Sequence, residues 1–400
     1  MTRDKIVDQI RKKSDACIYE VIQIRRHLHQ YPELSFEEVE TGKYISEKLT
    51  SWGVEHSTGW AENGIVVLLG RKTSGPVVAL RADIDALPIL ERNEVPYRSK
   101  NEGVMHACGH DVHTASLLGA IRILKDMETI IPGTIKCIFQ PGEERLPGGA
   151  SILIKEGVLE NPAPKRILGQ HVHPPLQVGK VGFKPGQYMA SADEIYITIN
   201  GKGGHGGLPH DCIDPIPIMA QVISALQQMA SRASNPLTPT VLTIGKVNTV
   251  GGATNIIPNT VKMEGTFSTF DEKWRIEAHR KMKQLVEGIC QSMGAVCVFE
   301  VRNGYPYLQN DPDYTAFCVD EAVRFLGADQ VVELPMRTTA EDFAYYSHML
   351  PACFYRLGTG NARKNITSPV HTDTFNIDED ALSVGMGLMA YLAVTSLDGI

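Results

Sequence analysis

Four short apolar runs set the strongest limit on the fold: GIVVLLG (64–70), PVVALRA (76–82), TIKCIF (134–139) and RILGQHV (166–172). A strand with apolar side chains on both faces must be covered on both faces, as in a sheet sandwiched between helices. Helical spacing separates the runs, at 112–126 and 148–157. It also precedes them, at 15–31 and 36–52, where Phe36, Val39, Tyr44, Ile45 and Leu49 fall on one side. This alternation predicts an α/β domain with a central, mainly parallel sheet flanked by helices.

After about residue 185 the texture changes. DEIYITIN (193–200) alternates with period two, a helix follows near 214–232, then strands near 240–248 and 260–268, a helix at 272–292 and the strand AVCVFEV (295–301). The order βαββαβ predicts a ferredoxin-like α+β domain. From about 302 the first texture returns and ends in an apolar helix at 379–396. We therefore expect one discontinuous domain, 1–185 with 302–400, interrupted by an inserted domain at 186–301.

Composition excludes several functions. Among 400 residues, 43% are apolar and 21% charged, and the formal charge is −7, so the broad basic footprint of a nucleic-acid binder is missing. No uncharged apolar run reaches the roughly 18 residues of a membrane span, and the first 15 residues lack the apolar stretch of a secretion signal. Eight scattered cysteines without C-x-x-C pairs read as mostly reduced thiols, and the expected location is cytoplasmic.

The apolar runs share a second property: they lead into residues that bind metals. VVALRADIDALP ends in Asp83 and Asp85, TIKCIF leads to Glu143 and Glu144 of QPGEER, and RILGQHVHPP supplies His171 and His173. MHACGHDVHT (105–114) places Cys108 and His110 just before a helix, and SPVHTDTF adds His371. Ligands of open α/β sheets bind beyond the carboxyl ends of the strands, so these residues are expected to converge. Residues two apart do not share a helix face, which puts Cys108 and His110 on non-helical backbone eased by Gly109, with Asp111 as a candidate cap. A mixed Cys, His and carboxylate set suits zinc, with nickel, cobalt or manganese as alternatives.

MHACGHDVHT, FQPGEE, HVHPP, GKGGHGGLPH, ATNIIP and AEDFA, in that order, resemble the metal-dependent amidohydrolases of the aminoacylase and hippurate hydrolase type. Auxin-conjugate hydrolases, N-acetyldiaminopimelate deacetylases and carboxypeptidase-like metallopeptidases are related. The resemblance covers roughly residues 15 to 395. It implies a catalytic domain holding two divalent cations, and an inserted lid domain that pairs subunits into a homodimer. It makes Cys108 the bridging ligand, with His110, Glu144, His171 and His371 as the other ligands. Glu143 becomes the general base and Asp85 the carboxylate orienting a ligand histidine. His205 would stabilise the oxyanion, in a neighbouring subunit's site, and Asn255 would contact the substrate carbonyl.

The sequence departs from the peptidase branch at two positions: Asp83 stands where a histidine is common, and Cys108 where the bridging ligand is commonly aspartate. Thr339-Ala340 also replace the Gly-Ser that usually precedes the Glu-Asp-Phe element, and His173 receives no role. The implied reaction is hydrolysis of N-acyl amino acids. A dinuclear dipeptidase or carboxypeptidase is the nearer alternative, and a non-catalytic metal-containing binding protein the more distant one.

Overall fold

A computed structural model describes residues 2–70 and 75–398. It divides into two compact units, one formed by Met1–Gly186, Gln309–Pro335 and Asp342–Ile400, the other by Gln187–Leu308 and Met336–Glu341.

The first unit is built on an eight-stranded sheet. Its strands are β1 (His56–Trp60), β2 (Gly64–Leu69), β3 (Val77–Asp83), β4 (Thr134–Gln140), β5 (Arg166–Gln177), β6 (Val181–Phe183), β7 (Val331–Glu333) and β8 (Ala352–Gly360). Their spatial order is β1-β2-β4-β3-β5-β8-β6-β7. The central strands β4, β3, β5 and β8 run parallel, while β1 and β2 at one side, and the β8–β6 pairing, are antiparallel. Every residue of β3, β4 and β8 is buried, as two-sided helical cover requires. The helix His110–Lys125 packs against Arg3–Gln30 and Ala381–Thr395 on one face of that sheet. Ala381–Thr395 is apolar all round and buried along nearly its whole length.

Several local expectations need correction. The first helix starts at Arg3 instead of 15, burying Ile6, Val7 and Ile10. Phe36 lies outside the second helix, which is Val39–Ser51, and its backbone is left-handed (φ 67°). That helix buries Thr41, Gly42, Ile45 and Leu49, whereas Val39 is exposed. β8 was not anticipated as a strand, because Arg356 and two glycines break the apolar pattern of ACFYRLGTG. Gly358-Thr359-Gly360 closes this strand.

The second unit carries a four-stranded antiparallel sheet in the order Thr240–Val250, Thr260–Thr269, Asp193–Asn200, Val296–Asn303. Ile195, Ile197 and Ile199 point to a core shared with Ile218, Val222 and Leu226 of helix Pro215–Gln228, and with Ala278, Met282 and Val286 of helix Glu272–Ser292. Asp214 and Asp271 cap the two helices through their carboxylates. Among the described residues no helix is long and apolar enough to cross a membrane.

Candidate metal centre

The carboxyl ends of β3 and β4 and the middle of β5 bring predicted donors together in the first unit. β3 ends at Asp83, with Asp85 just beyond; β4 is followed by Glu143 and Glu144; His171 lies on β5. Cys108 precedes a helix whose N-cap is Gly109 in the left-handed conformation (φ 82°), where a Cβ would collide with Val172. His110 is therefore the first helical residue, one step beyond the non-helical stretch expected for it, and Cys108 stays on the loop. Asp111 does not cap this helix. Its buried carboxylate instead accepts from Arg25 Nε at 2.8 Å and pairs with His29 Nδ1 at 2.8 Å, tying the start of this helix to the first helix.

Cys108 is the hub. Its Sγ lies 3.4 Å from His171 Nε2 and 3.3 Å from His371 Nε2. Tetrahedral coordination at ordinary zinc–sulfur and zinc–nitrogen lengths gives an S···N edge of about 3.5 Å. Two donor groups share this sulfur, Cys108–His110–His171 and Cys108–Glu144–His371, each with its donor atoms within 4.8 Å of one another. His110, Glu143 and Glu144 form a third such group. His371 reaches the site through a backbone hydrogen bond from its N–H to Ala107 O (2.8 Å) and a left-handed φ of 62°.

Hydrogen bonds set the imidazole tautomers. His110 Nδ1 donates to Asp85 Oδ1 (3.0 Å) and His171 Nδ1 donates to Val172 O (2.8 Å), so both Nε2 lone pairs face the cluster. Asp85 also accepts from Ser35 Oγ (2.7 Å) and from the Glu144 N–H (2.9 Å) through Oδ2. Glu143 Oε1 accepts from the Asp342 N–H at 3.4 Å.

Sequence reasoning missed two supporting residues. His113 accepts the Val172 N–H at Nε2 (2.9 Å) and donates from Nδ1 to Asp83 Oδ1 (2.5 Å), clamping the backbone beside His171. Asp342, within the quoted AEDFA, is fully buried and accepts from Arg81 Nη2 (2.6 Å), Gln140 Nε2 (2.8 Å) and the Ala150 N–H (3.0 Å). His113 lies three residues after His110, on the same helix face, which is the signal that was available. Asp83, in turn, is held by Arg81 Nη1 (2.7 Å) as well as His113.

The electrostatics call for positive charge. Burial opposes a charged His110, yet Asp83, Asp85 and Glu144 prevail and push its pKa up to about 10. Burial and the charges of Glu144, Glu143 and Asp83 push the Cys108 thiol well above its usual range. Among the described residues His110 Nε2 and Glu144 Oε1 are buried without a hydrogen-bond partner, with His371 Nε2 lying 3.3 Å from Glu144 Oε1. Buried polar atoms are normally satisfied, and a dication between these donors would satisfy them and stabilise the thiolate. The donor set fits a pair of divalent cations.

His205 and Asn255 belong to the second unit. Gly204–His205 pairs with Ile256–Ile257, placing His205 opposite Ile256, and the Gly206 N–H bonds to Asn255 O (2.8 Å). His205 is exposed and its Nδ1 accepts the Gly207 N–H at 3.0 Å. His173, on β5, pairs in register with Gly358.

The family model for peptidase family M20/M25/M40 matches residues 79–395. The chain belongs to this family. The M20 chain is 40% identical over 381 residues to the N-acetylcysteine deacetylase of Bacillus subtilis, covering 95% of this chain and 97% of that one. It is 37% identical over 395 residues to thermostable carboxypeptidase 1 of Saccharolobus solfataricus, with 98% of each chain covered. A crystal structure described as a dinuclear metal-binding M20 peptidase from Bacillus subtilis matches with a TM-score of 0.82 at 38% identity, covering 96% of this chain and 100% of that one. The M20 chain is a metal-dependent hydrolase of mixed α/β fold.

Proposed function

We propose that this M20 hydrolase cleaves the amide bond of N-acyl amino acids to a carboxylic acid and a free amino acid. The observation that carries the reading is the sulfur of Cys108 shared by two donor groups, with Glu143 beside them. The deacetylase name of a relative 40% identical supports the substrate class. In this reading Cys108, His110, Glu144, His171 and His371 hold two cations, zinc first, with manganese, nickel or cobalt as alternatives. Such cations supply Lewis acidity, polarising a carbonyl and easing deprotonation of water near neutral pH.

Glu143 takes the proton of the attacking water and passes it to the departing amine. Its Oε1 accepts the Asp342 N–H at 3.4 Å, and its Oε2 lies 4.0 Å from His110 Nε2, beside the donor cluster. Asp85 keeps His110 in the tautomer that presents Nε2. His205 steadies the developing oxyanion in a neighbouring subunit's site and Asn255 contacts the substrate carbonyl, with subunits paired as a homodimer.

Replacing Glu143 with Gln is expected to cut turnover by about 10²- to 10⁴-fold while both metal equivalents are retained. Elemental analysis beside an assay on N-acetyl and N-benzoyl amino acids reads both quantities. Loss of metal in step with activity would make Glu143 a ligand and overturn its assignment. The carboxypeptidase relative favours a second reading, peptide hydrolysis. Faster turnover of unblocked dipeptides or longer peptides than of N-acyl amino acids would establish it.

A further inference from the structure

The turn between the first two helices has no part in the scheme above, yet it reaches both catalytic loops. Its backbone is anchored by the Ala86 N–H on Glu33 O (2.8 Å), while the Glu33 carboxylate accepts the Thr41 N–H (2.7 Å) and the Glu40 N–H (3.2 Å) at the start of the second helix. From that anchor Ser35 Oγ donates to Asp85 Oδ2 at 2.7 Å. Two residues beyond Phe36, the fully buried Glu38 accepts the Gly142 N–H on Oε1 at 2.7 Å and the Asn63 amide on Oε2 at 3.4 Å.

Phe36 joins these two contacts. Its left-handed φ of 67° lays the ring on Gly142, where a Cβ would collide with it; Gly142 is itself left-handed at φ 67°. A non-glycine, aromatic residue in that region costs energy and persists only where surrounding contacts hold it. Gly142 then leads directly into Glu143 and Glu144, and the Glu144 N–H closes the circuit on the same Asp85 oxygen that Ser35 holds.

We propose that Ser35 and Glu38 are positioning residues for the metal centre, Ser35 by fixing the Asp85 carboxylate behind His110 and Glu38 by fixing the Gly142 turn that aims Glu143 and Glu144. Burial and the Asp85 charge push the Glu38 carboxyl up to about 7, and its two oxygens act here as hydrogen-bond acceptors, a capacity distinct from charge. That distinction separates the variants. Glu38→Gln keeps an oxygen for the Gly142 N–H; Glu38→Leu does not. Ser35→Thr keeps a hydroxyl for Asp85; Ser35→Ala does not.

The inference rests on the dinuclear reading of the site but not on the substrate, so the test reads the metal directly. The four full-length variants are stripped by chelation and titrated with cobalt(II), recording affinity and the visible d–d and thiolate bands. Loss of such a supporting hydrogen bond commonly costs about 10- to 100-fold in metal affinity or activity. Ser35→Ala and Glu38→Leu are expected to show that loss with shifted bands and an unchanged melting temperature of the second unit, and in assays a fall in kcat with little change in KM. Ser35→Thr and Glu38→Gln are expected to stay within about threefold of the parent, below the range expected for a lost supporting bond. Parent-like cobalt spectra and affinity in Ser35→Ala and Glu38→Leu overturn the proposal, as does Glu38→Gln failing as badly as Glu38→Leu. Should Glu38→Leu not fold, the Ser35 pair decides alone. A parent enzyme inactive on every N-acyl amino acid would sink the substrate assignment and leave the cobalt result standing.

Discussion

Sulfur at position 108 has two imidazole nitrogens within 3.4 Å, those of His171 and His371. A free thiol gains little from such a setting, since burial and three carboxylates disfavour its charge. Cys108→Ser changes the volume little but removes the soft donor, so the fold is expected to persist while cobalt affinity drops at least about tenfold, or 1.4 kcal/mol. Competition titration checks this, and two equivalents bound at parental affinity would show the sulfur to be a bystander. Cys108, His110 and the Glu143–Glu144 pair were legible because their residue types stand out beside apolar runs. His113 and Asp342 were not, because a histidine on an apolar helix face and an aspartate in a loop look ordinary until Val172 and Arg81 are seen opposite them.

At the scale of elements, the first-unit strands were readable where both faces are apolar, as in β2, β3 and β4. β8 escaped because Arg356 sits fully inside it, and only the fold reveals that this arginine is buried. The second-unit elements were readable from period alone, but the contact that ties them together was not. Asp193, at the start of the strand Asp193–Asn200, accepts from Arg275 Nε (2.9 Å), His279 Nε2 (2.7 Å) and the Gly304 N–H (3.0 Å). Burial alone would raise its pKa; Arg275 and His279 more than offset this and hold it below the usual carboxylate value. Because the folded value is depressed, the stabilisation is fully present above the unfolded pKa of about 3.9 and is lost as pH falls through the folded one. Asp193→Asn is expected to cost about 3 kcal/mol at pH 7, with a smaller difference from the parent at pH 3. Urea unfolding at the two pH values measures both.

For the whole molecule, cations that bind only the folded state add stability by mass action, about 2.7 kcal/mol per site at a hundredfold excess over Kd. Chelation is therefore expected to lower the melting temperature of the first unit by roughly 5–10 °C per site. No candidate cluster lies on the four-stranded sheet among the described residues, so its transition serves as the reference in the same calorimetric scan. A scan unchanged by chelation would mean that the donors are held in place without cations. The α/β layering was legible at this scale because two-sided burial and strand–helix alternation are repeated along the chain. The helix start at Arg3 and the turn at Phe36 depend on partners far away in sequence, which no local period reports.

The spacing of the donors along the chain has one more consequence. The sulfur of Cys108 and the imidazole of His371 that it touches are 263 residues apart. On the proposed ligand set, synthesis must therefore pass residue 371 before a second cation could gain all its ligands, and a product truncated ahead of His371 is expected to be translated, folded in part, and never armed.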